Sequence, residues 1–236
     1  MSFELCTYPL DIIIMFPRFV CVLDFEATCD NPVNLEKPEV IEFPSVLLEL
    51  AGDQYTVKSE FQQYVRPEIN PVLTDFCTEL TGIRQAQVDK GARFDEALRL
   101  HHSWLASCIG TDPNDLDPTQ FIVATCGDWD IRTMLPVQAR NSDLAIPRYL
   151  QTFSNVKTIV ARFKGSKKAP KSVNALLHFV GKTFVGQHHS GIDDCRNIAV
   201  VVVEMGKKGA ALLPTGRLVA NDLGEYTFTQ CLDGDD

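Results

Sequence analysis

Residues 19–30 read FVCVLDFEATCD, an apolar and partly β-branched run that breaks off into carboxylates. Phe19 to Phe25 has the length and composition of a buried strand and is too short for a core helix. Side chains alternate along a strand, so Asp24 and Glu26 share one side of it. Two like charges beside a buried strand are costly unless protons or a divalent cation compensate. Taken alone, such a pair more often opens a solvated loop, so its weight depends on the rest of the chain.

Working outward, VIEFPSVLLEL (40–50) and YTVKSEFQQYV (55–65) read as two more strands, and Gly52-Asp53 between them predicts an antiparallel hairpin. Pro44 predicts a bulge or an edge position. From Pro71 the pattern turns helical: a short helix over 73–80, a break at Thr81-Gly82, and a longer helix over 94–109. TDPNDLDP (111–118) reads as a loop, FIVAT (121–125) as a fourth strand, and 129–140 as a helix interrupted by Pro136. Further helices are expected over 173–179 and 193–205, then irregular structure or a short hairpin through LLPTGRLVAND and EYTFTQC, and a frayed LDGDD. The order implies an α/β fold, a mixed β-sheet with helices on its faces. The expected organisation is an N-terminal arm over 1–18, one main domain over 19–222 and a tail over 223–236.

Composition agrees with one domain: 236 residues, 45% of them hydrophobic, can bury a sizeable core. The eight cysteines form no CxxC pair, which argues against a structural zinc and suits reduced thiols in an intracellular compartment, cytoplasmic or nuclear. Near the N-terminus the longest apolar run is Ile12 to Phe16, far short of the roughly 20 residues a membrane span needs. No basic segment precedes it, so the mature chain is expected to start near Met1. A net charge of −9 looks wrong for binding nucleic acid, but VKTIVARFKGSKKAPK (156–171) carries six Lys or Arg and no acid. By itself that stretch reads equally well as a solvated loop.

Two further constellations stand out. Cys126-Gly127-Asp128-Trp129-Asp130 follows the fourth strand and runs into a helical pattern, a junction where function sits in α/β sheets, although a simple helix cap is the common alternative. Trp129 adds a flat surface on which a base could stack. The other is HHSGIDD (188–194), which enters a helix and contains two His-x4-Asp pairs, His188 with Asp193 and His189 with Asp194. Spacing does not choose between them.

In this order the three sets resemble the DEDDh exonucleases, the superfamily of RNase T, oligoribonuclease and the proofreading subunit of bacterial DNA polymerase. DFEATCD (24–30), VIEFPSVLLE (40–49), FQQYVRPEINPVLTDFCTELTGI (61–83), GDWD (127–130) and HSGIDDCRNIA (189–199) are similar to the ERI-type exoribonuclease branch, over about residues 19 to 222. The resemblance implies an RNase H-like sheet. Its H-x-G-x-D-D pattern selects His189 and Asp194, and its aromatic-Asp order selects Asp130. Asp24, Glu26, Asp130 and Asp194 would then hold two Mg²⁺ ions, replaceable by Mn²⁺, and His189 would be the general base of a 3′→5′ exonuclease releasing nucleoside 5′-monophosphates. Ala27 and Thr28 would meet the terminal ribose, Trp129 and Phe76 the bases, and Lys164, Lys167 and Lys168 the phosphates. RNA 3′ ends are the expected substrate, with DNA possible; a catalytically weak binding module is the reading from another class. Only about 18 residues precede the first strand, so the extra N-terminal nucleic-acid-binding domain of the histone stem-loop members is not expected, nor is the C-terminal zinc module of some relatives. Specificity for structured RNA would then fall to a partner protein.

Overall fold

The computed structural model describes residues 16–31, 35–117 and 119–231. Most of the expected arm (residues 1–15) and the LDGDD expected to fray (232–236) lie outside the described residues.

The apolar run becomes strand β1 (Phe19–Leu23), wholly buried. It pairs antiparallel with β3 (Val40–Ala51), which forms a hairpin with β4 (Gln54–Tyr64) across Gly52, at φ 68°. On its other side β1 runs parallel to β5 (Phe121–Thr125), and β5 parallel to β6 (Thr152–Asn155). The sheet continues antiparallel through β7 (Gly216–Ala220) and β8 (Tyr226–Gln230). Of the two readings of the C-terminal stretch, irregular structure or a short hairpin, the hairpin is present and joins the main sheet. Its second strand lies past residue 222, where a tail was expected, and its Phe228 ring sits 6.2 Å from Phe153.

Alternation along β1 sorts the core into two layers. Cys21 and Leu23 face a cluster with α3 (Phe94–Ile109) and α4 (Leu135–Asn141). Val20 and Val22 face α5 (Val156–Phe163), α6 (Val173–Phe179) and α7 (Gly191–Lys207). Two short helices, α1 (Asp75–Thr81) and α2 (Gln85–Asp89), pack on Ile41. Within the first layer His101 is fully buried, stacks on Phe43 at 4.4 Å, and hydrogen-bonds Ser45 and Tyr149, each at 3.0 Å. Burial drives its pKa down to about 3, so it is a neutral core histidine.

Several expectations are corrected. The first strand does not run to Phe25: pairing stops at Leu23 and resumes as β2 (Glu26–Ala27). Pro44 is neither at an edge nor in a bulge. It lies in the interior strand, at the gap between the Leu23–Ser45 and Glu26–Glu42 pairs, where a residue without an N–H breaks no ladder; the shifts fall at Leu47/Leu48 and Glu26/Ala27. Pro136 does not interrupt its helix. It sits in the first turn of α4, preceded by a π-helical stretch, Trp129–Met134, in which the Leu135 N–H bonds the Asp130 carbonyl. The wider turn accommodates a proline ring that would crowd an α-helical carbonyl. The basic stretch is a helix, α5, before it becomes a loop. No helix among the described residues is long and apolar enough to cross a membrane.

Candidate active site

Asp24 and Glu26 flank the break between β1 and β2, and α7 is pressed against that break. A Cβ on Gly191 would stand 2.8 Å from Pro44 Cγ and 2.9 Å from the Asp24 carbonyl oxygen, so only glycine permits this approach. Asp194, one turn into α7, is thereby carried to the strand end. Ligand atoms of Asp24, Glu26 and Asp194 all lie within 4.8 Å of one another. Asp130 is outside that mutual set but beside it, in the π-helical turn after β5, its Oδ1 accepting the Phe25 N–H at 2.8 Å.

The electrostatics follow from this crowding. Burial pushes Asp24 well above the usual carboxylate range, Asp130, Glu26 and Asp194 push it further, and Lys157 opposes them. Glu26 is pushed up to about 9, by burial first and then by Glu42, Asp194 and Asp130. Asp130 is pushed up to about 7 by burial, against the Phe25 N–H and Lys157. Asp194 is also raised by burial, offset by the His189 N–H that donates to its Oδ2 at 2.8 Å.

The structure separates the candidate pairs that spacing left open. His188 stacks against Phe184, ring centroids 3.7 Å apart, and its Nε2 lies 3.3 Å from Asn174 Nδ2; Asp193 is bound by Arg196 and the Gln187 N–H. His189 adjoins Asp194 through its backbone and is exposed, at φ 61°. Asp128 accepts from Asn155 Nδ2 at 2.7 Å, while Asp130 faces the acidic group.

Among the other expected residues, Trp129 is exposed (47%) next to Asp130. Thr28 is buried, and its hydroxyl accepts the Glu39 N–H at 2.9 Å. Ala27 is half-buried; its carbonyl accepts from the Cys77 thiol at 3.7 Å, so α1, with half-buried Phe76, packs beside β2. Lys164, Lys167 and Lys168 are exposed at the end of α5 and beyond it, Lys164 over the Phe179 ring. Two residues near the acids were not among the expected site residues, although Lys157 belongs to the basic stretch. Lys157, in the first turn of α5, has Nζ 3.7 Å from where a Gly127 Cβ would be, and its charge reaches Asp24 and Asp130. Glu42 is a buried carboxylate directly across the strand pair from Glu26. Its neighbours became visible only once the chain was folded.

Residues 21–202 match the RNase T exonuclease family model. ERI1 exoribonuclease 3 of Bos taurus is 39% identical over 203 residues, 85% of this chain and 57% of the relative, so the chain spans little more than half that relative's length. A solved 3′-exonuclease described as recognising the 3′ end of a histone mRNA stem-loop superposes with a TM-score of 0.80 at 31% identity, over 92% of both chains. The nuclease domain of a DEDDh exonuclease bound to rAMP superposes with a TM-score of 0.76 at 34% identity, over 84% of this chain and 96% of that one.

Proposed function

The chain belongs to the RNase T exonuclease family, and on that footing we propose that it is a 3′→5′ exoribonuclease releasing nucleoside 5′-monophosphates from single-stranded or overhanging 3′ ends. The observation that carries this reading is the convergence of Asp24, Glu26 and Asp194, beside Asp130, at one end of the sheet. RNA is favoured over DNA because the similar proteins include a named exoribonuclease and an rAMP complex.

The donor set suits a hard divalent cation: it is oxygen-only, half-buried to buried and like-charged, and burial together with the neighbouring acids makes its protons unusually hard to remove. Asp24, Glu26, Asp130 and Asp194 would hold Mg²⁺, or Mn²⁺ in its place, and bound cations would supply charge neutralisation at the phosphate and a more acidic water. His189, exposed beside Asp194, takes on its imidazole the proton of the attacking water as the new P–O bond forms. The released 3′-oxygen leaves with a proton from solvent. Trp129 offers its exposed face to a terminal base, with Phe76 as a second wall and Ala27 and Thr28 flanking the ribose. Lys157, whose charge reaches Asp24 and Asp130, would meet the reacting phosphate, and Lys164, Lys167 and Lys168 would follow the backbone away from it.

Paired 5′-labelled RNA and DNA oligonucleotides, incubated with Mg²⁺ or Mn²⁺, test the reading. A ladder shortening from the 3′ end on RNA, lost in Asp24→Ala and in chelator, is the expected result. Equal or faster loss of DNA would overturn the RNA assignment, and binding without cleavage would leave a nucleic-acid-binding module.

A further inference from the structure

Glu42 is 1% exposed, lies directly across from Glu26 in the β2–β3 pair, and is not one of the carboxylates assigned to the cation. Burying another acid here adds to the repulsion on Glu26. Packing alone would be served better by an apolar residue. What the carboxylate does instead is bridge two elements: Oε2 accepts the Gly191 N–H at 3.1 Å, and Oε1 accepts from Gln62 Nε2 at 2.8 Å. The start of α7 needs such an acceptor, because Ser190, in the capping position, makes no side-chain cap hydrogen bond. A negative charge there also complements the helix dipole. Gly191 meanwhile lies so near the Asp24 carbonyl and Pro44 that a Cβ there would meet both, so the first turn of α7 is set against the β1–β2 junction by a hydrogen bond and by close approach together.

We infer that Glu42 is a positioning residue: from β3 it holds the first turn of α7, and with it His189 and Asp194, in register with Asp24 and Glu26. The inference rests on the exonuclease reading for its catalytic consequence, although the grip on α7 can be measured without catalysis. A misplacement of about 1 Å at such a site is enough to cost roughly 100-fold in rate.

The test compares the full chain with Glu42→Ala, Glu42→Gln and the exchanged pair Glu42→Gln/Gln62→Glu. In the exchanged pair the new carboxylate at 62 accepts from the amide at 42, whose oxygen still receives the Gly191 N–H. In the single Gln substitution the Gln62 amide can turn its oxygen to the new NH₂ at 42, so both bonds are kept and only the charge is removed. With RNA and Mg²⁺, Glu42→Ala is expected to lower kcat roughly 10- to 100-fold with KM changed by less than about threefold, and the exchanged pair to recover most of the loss. In parallel, amide hydrogen exchange at Gly191 is expected to speed up in Glu42→Ala and to slow again in the exchanged pair. A wild-type kcat in Glu42→Ala, an exchanged pair no better than Glu42→Ala, or unchanged protection at Gly191 would overturn the inference. If the wild type cleaves nothing, the exonuclease reading falls, and the Gly191 protection still decides whether Glu42 holds α7.

Discussion

The backbone N–H of His189 donates to the Asp194 carboxylate at 2.8 Å, and the bond holds a histidine at φ 61°, in the left-handed region that non-glycine residues rarely enter. That conformation costs about 1–2 kcal/mol and persists where surroundings over-determine it, commonly at functional sites. His189→Gly should therefore raise stability by about 1 kcal/mol while lowering the cleavage rate roughly 10²- to 10⁴-fold. Denaturant unfolding and single-turnover cleavage on the same preparations would show the opposed signs; a loss of both would mean that the side chain supports the fold.

Crowded carboxylates should make the cation-free protein sensitive to alkali. Glu26 is raised from 4.5 to about 9 and Asp130 from 3.8 to about 7, burial being the main cause in each. Both keep protons longer in the folded state, so the stability they contribute is complete below their unfolded values and is lost as pH rises through the folded ones. His101 has the opposite sign: depressed to about 3, it supports the fold above its unfolded value of 6.5 and withdraws that support as pH falls. Between pH 7 and 9 Glu26 alone lowers stability in chelator by on the order of 2 kcal/mol. Asp24, also raised by burial, acts in the same direction, and the Cys77 thiol, lowered from 9.0 to about 7, acts against them. Stability in chelator should therefore fall with pH, while Mg²⁺ flattens the dependence. Unfolding curves with and without Mg²⁺ check this, and a flat profile in chelator would contradict it.

Trp129 presents nearly half its surface beside Asp130. If it stacks on a terminal base, Trp129→Ala should weaken oligonucleotide binding by about 1–3 kcal/mol with folding stability within about 0.5 kcal/mol of wild type. Fluorescence-anisotropy titration in Ca²⁺ and a thermal melt separate these. Destabilisation without a binding defect would make the indole part of the packing.

Legibility followed locality. Asp24 and Glu26 could be read because a strand's apolar run announces its own polar end, and the hairpin because Gly52 permits the turn. His189 and Asp194 needed the family pattern; in the fold the rival pair is occupied elsewhere, His188 by Phe184 and Asp193 by Arg196. Strand β6 is four residues without alternation, and the basic residues in and after α5 masked the helical spacing of Val156, Ile159 and Val160. Lys157 and Glu42 acquire meaning only from residues far away in the chain, through the acids around the one and the α7 turn against the other.

The approach of α7 to the sheet leads to the last prediction. In the first turn of an exposed helix, Gly→Ala is ordinarily favourable by roughly 0.5–1 kcal/mol. At Gly191 the added methyl would meet Pro44 Cγ at 2.8 Å, the Asp24 carbonyl at 2.9 Å and Glu42 Oε2 at 3.2 Å, two of them rigid. Relief requires α7 to lift away from the β1–β2 junction, taking Asp194 with it. Gly191→Ala is therefore expected to destabilise by about 1–3 kcal/mol and to reduce kcat more than 10-fold, with KM for RNA little altered because Trp129 and the lysines stay in place. Urea unfolding and steady-state cleavage measure both. A more stable, fully active variant would show that the helix is not wedged against the strand junction.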